Sequence, residues 1–320
     1  MEFNLNQTIN VCLASDEGYA KYLGMTIISI LKSAALEDSF KFYVLDGGIS
    51  TESKEKVESL KSIKDFAIEW LPLDMDFFSK FQKSRWSYVA CARLLIPEFI
   101  KEDKVLYLDC DILVRTSLAP LFNTDIDSYY AAGVIDYCVK DRGWDKKLFK
   151  SDNDYNLYFN SGVLLINVKL WRQDGIHQKM IQKCLDISLS YKFLDQDVIN
   201  LVLKGRIKSL DPRWNVMNYF YSTDLFLKED IYKDLSEITS NPYIRHFKGW
   251  KKNNLFPQRD EYLKLMKDSP WSEYIEEDDP RWLLYLKVFF SYMWRHPLCF
   301  VLPRFYKRWY YRGFLGLIRS

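Results

Sequence analysis

Short apolar runs that alternate with helix-patterned stretches constrain this chain more than any other feature. Ile9-Asn-Val-Cys-Leu-Ala14 stops at Ser15-Asp16-Glu17-Gly18 and reads as a buried strand followed by a loop. Leu23, Ile27, Ile30, Leu31 and Ala34 then fall at helical spacing. Phe40 to Leu45 is a second strand, closed by Asp46-Gly47-Gly48, and Ser50 or Thr51 can cap a polar helix that runs to Ser62. Phe66 to Leu71 is a third strand. Such alternation needs helices on the faces of a sheet, so it predicts a parallel, doubly wound α/β fold. Further along, Tyr88 to Phe99 reads as a helix, and Lys104 to Leu108, Tyr130 to Ile135 and Tyr158 to Val168 as strands. Val168 to Tyr191 reads as one helix and Asp195 to Leu203 as the start of another.

Charge is unevenly placed. The chain carries 45 basic and 43 acidic side chains, a net +2 that argues against a nucleic-acid partner. From Arg281 to Ser320 there are eight Lys or Arg and no Asp or Glu, with thirteen aromatics among them. The rest, 37 basic against 43 acidic groups, nets −6. Glu276-Glu277-Asp278-Asp279-Pro280 reads as the hinge between body and tail, which divides the chain into residues 1–275 and 276–320. Lys287, Arg295 and Arg304 interrupt the tail, and Pro297 and Pro303 break its helices, so it cannot form a span of about 18 apolar residues. Bases and aromatics mixed in this way suit a helical tail lying on an anionic membrane surface.

Six cysteines form no C-x-x-C pair, and Met1 to Asn10 lacks the pattern of a signal peptide. These features place the expected location in the cytoplasm, with the tail holding the protein peripherally on the inner face of the cell membrane.

The chemistry points to Val105-Leu-Tyr-Leu-Asp109-Cys-Asp111. Two carboxylates one residue apart follow an apolar strand, at the edge where open α/β sheets bind ligands. Residues i and i+2 share a face, so Asp109 and Asp111 can reach one hard cation, Mg²⁺ or Mn²⁺. Both point away from the core on this reading, so removing either should cost little stability. Asp16, after the first strand, can accept from a base or ribose and Tyr19 can stack on a base, or Ser15 or Asp16 can simply cap a helix. Phe159-Asn160-Ser161-Gly162 precedes a buried strand, Leu194-Asp195-Gln196-Asp197 opens a helix, and His246 leads into the basic loop that holds Gly249 and Lys252. No G-x-G-x-x-G follows the first strand and no P-loop occurs anywhere.

In this order, Phe42 to Ser50, Tyr107 to Val114, Tyr158 to Asn167 and Asp195-Gln-Asp197 resemble the retaining glycosyltransferases of family 8, and bacterial lipopolysaccharide galactosyl- and glucosyltransferases among them. The likeness covers residues 8–255. It implies a GT-A type, Rossmann-like domain that binds a UDP-sugar and passes galactose or glucose to a saccharide of lipopolysaccharide or another cell-surface glycan. It further implies Mn²⁺ (or Mg²⁺) held by Asp109, Asp111 and His246, and uridine at Ala14, Asp16 and Tyr19. The diphosphate falls to Gly249 and Lys252, and the donor sugar to Arg93, Asn160, Asp195 and Gln196. Gly18 stands where relatives can carry an Asn.

Asp195 and Gln196 are then the residues expected beside the anomeric carbon. Gln196 is a poor nucleophile and Asp195 reads as a hydroxyl acceptor, so retention by front-face displacement is favoured over a covalent intermediate. Phosphohydrolases of the haloacid dehalogenase type also use D-x-D, but at the chain start and with Thr or Val at the fourth position, where Leu113 stands here. A non-catalytic nucleotide-sugar-binding protein would be marked by loss of Asp109, Asp111 or His246, and all three are present.

Overall fold

The computed structural model describes residues 8–81, 88–141, 149, 157–186, 191–221, 229–247, 258–275, 283 and 286. Gly249, Lys252 and the tail except residues 283 and 286 lie outside these. Eight strands carry the argument first: β1 (Thr8–Ser15), β2 (Ser39–Asp46), β3 (Ala67–Pro72), β4 (Lys104–Leu108), β5 (Ile112–Val114), β6 (Ala131–Ile135), β7 (Phe159–Asn167) and β8 (Ile207–Ser209). All but β5 form one sheet in the order β3-β2-β1-β4-β7-β6-β8. A smaller sheet joins β5 to β10 (Ile244–His246) and β9 (Val216–Met217).

The parallel expectation holds from β3 to β4 and fails at β7. That strand runs antiparallel to both β4 and β6. The reversal matters for function. It brings the start of β7, with Asn160, Ser161 and Gly162, to the same sheet edge as the end of β4. The Asp109 amide donates to the Gly162 carbonyl at 2.8 Å there.

Side chains alternate between two apolar layers, as a pleated sheet requires. Val11, Phe42, Leu106 and Leu165 pack on one face, under helix α1 (Ala20–Ser33) and helix α2 (Thr51–Glu58). Cys12, Tyr43, Tyr107 and Leu164 pack on the other, with Leu94, Ile176 and Val198. Sheet faces are thus covered on both sides, as the strand–helix alternation demanded.

Two local expectations are sharpened and one changes. Ser50, not Thr51, caps α2, its hydroxyl accepting from the Ser53 amide at 3.2 Å. Tyr88 to Phe99 is a 3-10 helix (Tyr88–Leu95) that passes into a short α-helix (Ile96–Phe99). The single helix expected from Val168 is two, Val168–Gln173 and Ile176–Leu185, because Gly175 turns left-handed at φ 60° between them. Among the described residues no helix is long and apolar enough to cross a membrane.

Candidate functional site

The centre forms where the two sheets meet. β4 leaves the large sheet at Leu108, Asp109-Cys110-Asp111 makes the turn, and β5 enters the small sheet. Antiparallel pairing sets His246 opposite Ile112, so the ring arrives beside Asp111. The turn is held from both sides. The Phe247 amide donates to the Asp111 carbonyl at 2.8 Å, and the buried Thr26 hydroxyl of α1 donates to the Cys110 carbonyl at 2.7 Å.

Ligand atoms of Asp109, Asp111 and His246 all lie within 4.8 Å of one another. His246 Nε2 stands 3.2 Å from Asp111 Oδ1 and 3.8 Å from Asp109 Oδ2. Burial works against charging this ring. Asp111, by charge and by hydrogen bond, and then Asp109 outweigh that, so its pKa sits above the usual value. Two carboxylates and an imidazole are a donor set that suits a divalent cation. Shape agrees with chemistry. A Cβ on Gly162 would lie 2.3 Å from His246 Cε1 and 2.6 Å from Asp109 Oδ2, so only glycine leaves the cradle open.

The two oxygens of Asp109 are divided. Oδ1 accepts from Arg93 Nη2 at 2.9 Å and from the Tyr107 hydroxyl at 3.1 Å, while Oδ2 is the one turned toward His246. These partners speak against the expectation that Asp109 can be removed at little cost in stability. It partners an arginine only 4% exposed. Burial alone would lower the Arg93 pKa, but Asp109, Tyr107 and Asp195 hold it above its ordinary value.

Arg93 also joins the centre to a buried polar cluster. Its Nε lies 3.3 Å from Asp195 Oδ2, and its Nη1 donates to the Ser161 carbonyl at 2.7 Å. Gln196 Oε1 accepts from the Ser161 amide at 3.1 Å and from Asn160 Nδ2 at 3.0 Å, and its Nε2 donates to Asp136 Oδ2 at 3.2 Å. The structure thus gathers Arg93, Asn160, Asp195 and Gln196 into one network beside the Asp109–Asp111–His246 centre. Asp197, the second acid of that motif, is spent on structure. It accepts from the Lys192 and Phe193 amides at 2.8 and 2.9 Å and from the Tyr158 hydroxyl.

Ala14, Asp16 and Tyr19 sit across the β1 edge. The Cys110 thiol donates to the Ala14 carbonyl at 3.3 Å, which ties that edge to the acidic turn. Asp16 caps the 3-10 turn Glu17–Tyr19, its Oδ1 accepting from the Tyr19 amide at 3.1 Å. Tyr19 is 43% exposed, and burial of its remainder, then Asp111, push its pKa up to about 12.

Two site residues escaped the sequence reading. Asp136 follows the apolar strand β6 as Asp109 follows β4, and that shared pattern was a usable signal. Burial raises its carboxyl pKa against hydrogen bonds from Val139, Asn160 and Gln196. Asn215, fully buried between the 3-10 turn Pro212–Asn215 and β9, carries no local signal at all.

Comparison with known proteins agrees with this arrangement. The family model "Glycosyl transferase family 8" matches residues 10–253. General stress protein A of Bacillus subtilis (strain 168) is 31% identical over 83% of this chain and 96% of its own length. The lipopolysaccharide 1,3-galactosyltransferase of Salmonella typhimurium is 26% identical over 82% of this chain and 79% of its own. Among solved structures, the galactosyltransferase LgtC in complex with donor and acceptor sugar analogues superposes with a TM-score of 0.70 at 28% identity, covering 84% of this chain and 98% of LgtC. The mixed α/β sheet is accordingly a GT-A fold. With the family model spanning every segment that builds the Asp109–Asp111–His246 centre, the chain belongs to glycosyl transferase family 8, and it is a glycosyltransferase.

Proposed function

We propose that this glycosyltransferase moves a hexose, galactose or glucose, from a UDP-sugar to a saccharide of lipopolysaccharide or another cell-surface glycan, with retention of configuration. The observation that carries the reading is the convergence of Asp109, Asp111 and His246 within 4.8 Å, next to the buried Arg93–Asp195–Gln196–Asn160 network. Asp109 Oδ2, Asp111 and His246 Nε2 would hold Mn²⁺ or Mg²⁺. A divalent ion held there would supply charge neutralisation for a departing diphosphate. Ala14, Asp16 and Tyr19 would receive the uridine, and Gly249 and Lys252 the diphosphate. Arg93, Asn160, Asp195 and Gln196 would bind and orient the donor sugar.

Front-face displacement fits the state of the two candidate nucleophiles. Asp195 Oδ2 is held by Arg93 Nε at 3.3 Å and the Ser161 hydroxyl at 3.1 Å, which stabilises the carboxylate and blunts its attack. Gln196 has both amide ends engaged. Hydrolysis of a panel of UDP-sugars, with Mn²⁺ and then with EDTA, tests the assignment. One hexose should be preferred and EDTA should silence the enzyme. Full activity in EDTA sinks the metal role, and a sugar adduct on Asp195 in an intact-mass spectrum sinks the front-face route.

The tail is assigned to an anionic membrane surface on the cytoplasmic side. Its eight bases support this, since each base near such a surface contributes about 1 kcal/mol. The body should survive its removal, because Trp271, which packs on Gly24 of α1, precedes the cut. A chain ending at Asp279 should hydrolyse UDP-sugar but no longer sediment with anionic vesicles. Equal sedimentation of the two forms would overturn the assignment.

A further inference from the structure

We propose that Asn215 is a positioning residue. It holds His246 in the Nδ1–H tautomer, so that Nε2 presents its lone pair between Asp109 and Asp111. Through its other end it couples that ring to the Asn160–Gln196 cluster. The inference rests on reading Asp109, Asp111 and His246 as a cation site.

Two backbone amides, which can only donate, fix the direction of the whole chain of hydrogen bonds. The Gly162 amide lies 2.9 Å from Asn160 Oδ1, so that atom is the carbonyl oxygen and Asn160 Nδ2 is the donor on the far side. Its Nδ2 does find acceptors, Gln196 Oε1 at 3.0 Å and Asp136 Oδ2 at 3.3 Å. The Ser161 amide, 3.1 Å from Gln196 Oε1, independently fixes that end as the oxygen. Asn160 Oδ1 also receives Asn215 at 2.8 Å, so the Asn215 atom there is its amide nitrogen. Asn215 therefore turns its oxygen to His246, 2.8 Å from Nδ1. An oxygen that only accepts requires a proton on Nδ1. In the neutral ring Nε2 is then the free ligand atom, facing Asp111 at 3.2 Å.

Burial makes the arrangement strict. Asn215 is fully buried, which shields both of its amide ends from bulk solvent. The pairing of β9 and β10, with Met217 opposite His246, delivers it to this place. Outer partners of metal-bound histidines typically change metal affinity by about 10- to 100-fold when removed.

The test uses full-length protein with ¹⁵N-labelled histidine, which gives only three rings, His177, His246 and His296. At alkaline pH without metal, the His246 ring should show the Nδ1–H tautomer in wild type and lose that preference in Asn215→Ala. Mn²⁺ binding, read by electron paramagnetic resonance without donor, should weaken about 10- to 100-fold in Asn215→Ala. Asn215→Asp keeps an acceptor for Nδ1 but, ionised, cannot donate to Asn160. It should retain Mn²⁺ affinity within a few-fold while KM for the UDP-sugar rises, a split that a merely structural residue would not produce. It also carries the test where Asn215→Ala does not fold. A wild type that ignores Mn²⁺ but shows the tautomer, lost in Asn215→Ala, supports the positioning role and overturns the cation reading. Unchanged tautomer and unchanged Mn²⁺ affinity in Asn215→Ala overturn the inference, as does equal loss of Mn²⁺ binding in Asn215→Asp.

Discussion

The two ends of the sheet edge are built on different plans. At the β1–β2 end, hydrogen bonds are short-range or link one loop to the next. Asp16 caps its own turn, Glu17 accepts from the Ser50 amide at 2.7 Å, and the Gly47 amide donates to the Ser15 carbonyl at 2.8 Å. At the β4–β7 end, side chains from seven separate segments, from Arg93 to His246, meet in one network that is largely shielded from water. The first end can lose a side chain and keep its shape, because its backbone groups are bound to each other. The second cannot, because Arg93, Asp195, Gln196 and Asn215 are buried and depend on partners inside the network. On the proposed function, selectivity for the reacting part of the donor would belong at the second end, and tolerance at the first.

The strongest way to sharpen this contrast is to remove the two acids separately. Asp111→Ala and Asp109→Ala should each abolish transfer. Only Asp109→Ala should also destabilise the fold, by about 1–3 kcal/mol, since it takes a partner from the buried Arg93. Denaturant midpoints of the two variants read the difference directly, and equal midpoints would break the comparison.

Gly162→Ala comes next. Its new Cβ must displace His246 or Asp109, since it would lie under 3 Å from both. Mn²⁺ titration should show weakened binding by at least about tenfold, the effect expected of disturbed ligand orientation. Gly48→Ala at the other end, where a Cβ meets nothing but φ is +104°, should cost stability and leave Mn²⁺ binding alone.

A third effect is on pH. The His246 pKa is raised, so without metal its protonated ring contributes stability fully below the ordinary imidazole value of about 6.5. That contribution is lost as pH rises through the raised value. If the centre binds Mn²⁺ as proposed, its affinity should run the opposite way, growing over the same window as the proton leaves Nε2. Denaturation in EDTA, wild type against His246→Gln, should show an advantage that shrinks from acid to alkaline pH. A constant difference would count against the Asp111–His246 pairing.

The smallest effect is expected at Asp16. Asp16→Ala removes a cap from an exposed turn and should cost about 1 kcal/mol. Thermal melts with and without UDP separate that cost from any contact with the nucleotide. A large loss of stability would mean that this end is as tightly coupled as the other.

Much of the fold was readable residue by residue. Apolar runs such as Ile9–Ala14 and Lys104–Leu108 mark strands because they are short, bounded by polar turns and too brief for a helix, which suits strands covered on both faces. The break at Gly175 was missed because its neighbours keep helical spacing on both sides of it. The antiparallel course of β7 was missed for a deeper reason. A strand buried on both faces reads the same in either direction.

The site divides in the same way. Asp109 and Asp111 could be recognised from the sequence because the chemistry lies in one short segment, two carboxylates on one face at a strand end. Asp195-Gln196 and Asn160-Ser161-Gly162 were visible for the same reason. Their meeting was implied only by the family resemblance and not by the residues themselves, because it depends on the reversal of β7 and on β10 pairing with β5, contacts between segments far apart in the chain. Asn215 and the division of labour between the two oxygens of Asp109 belong wholly to the tertiary structure. Hydrogen-bond direction is set by which groups end up face to face without water, and no residue carries that information alone.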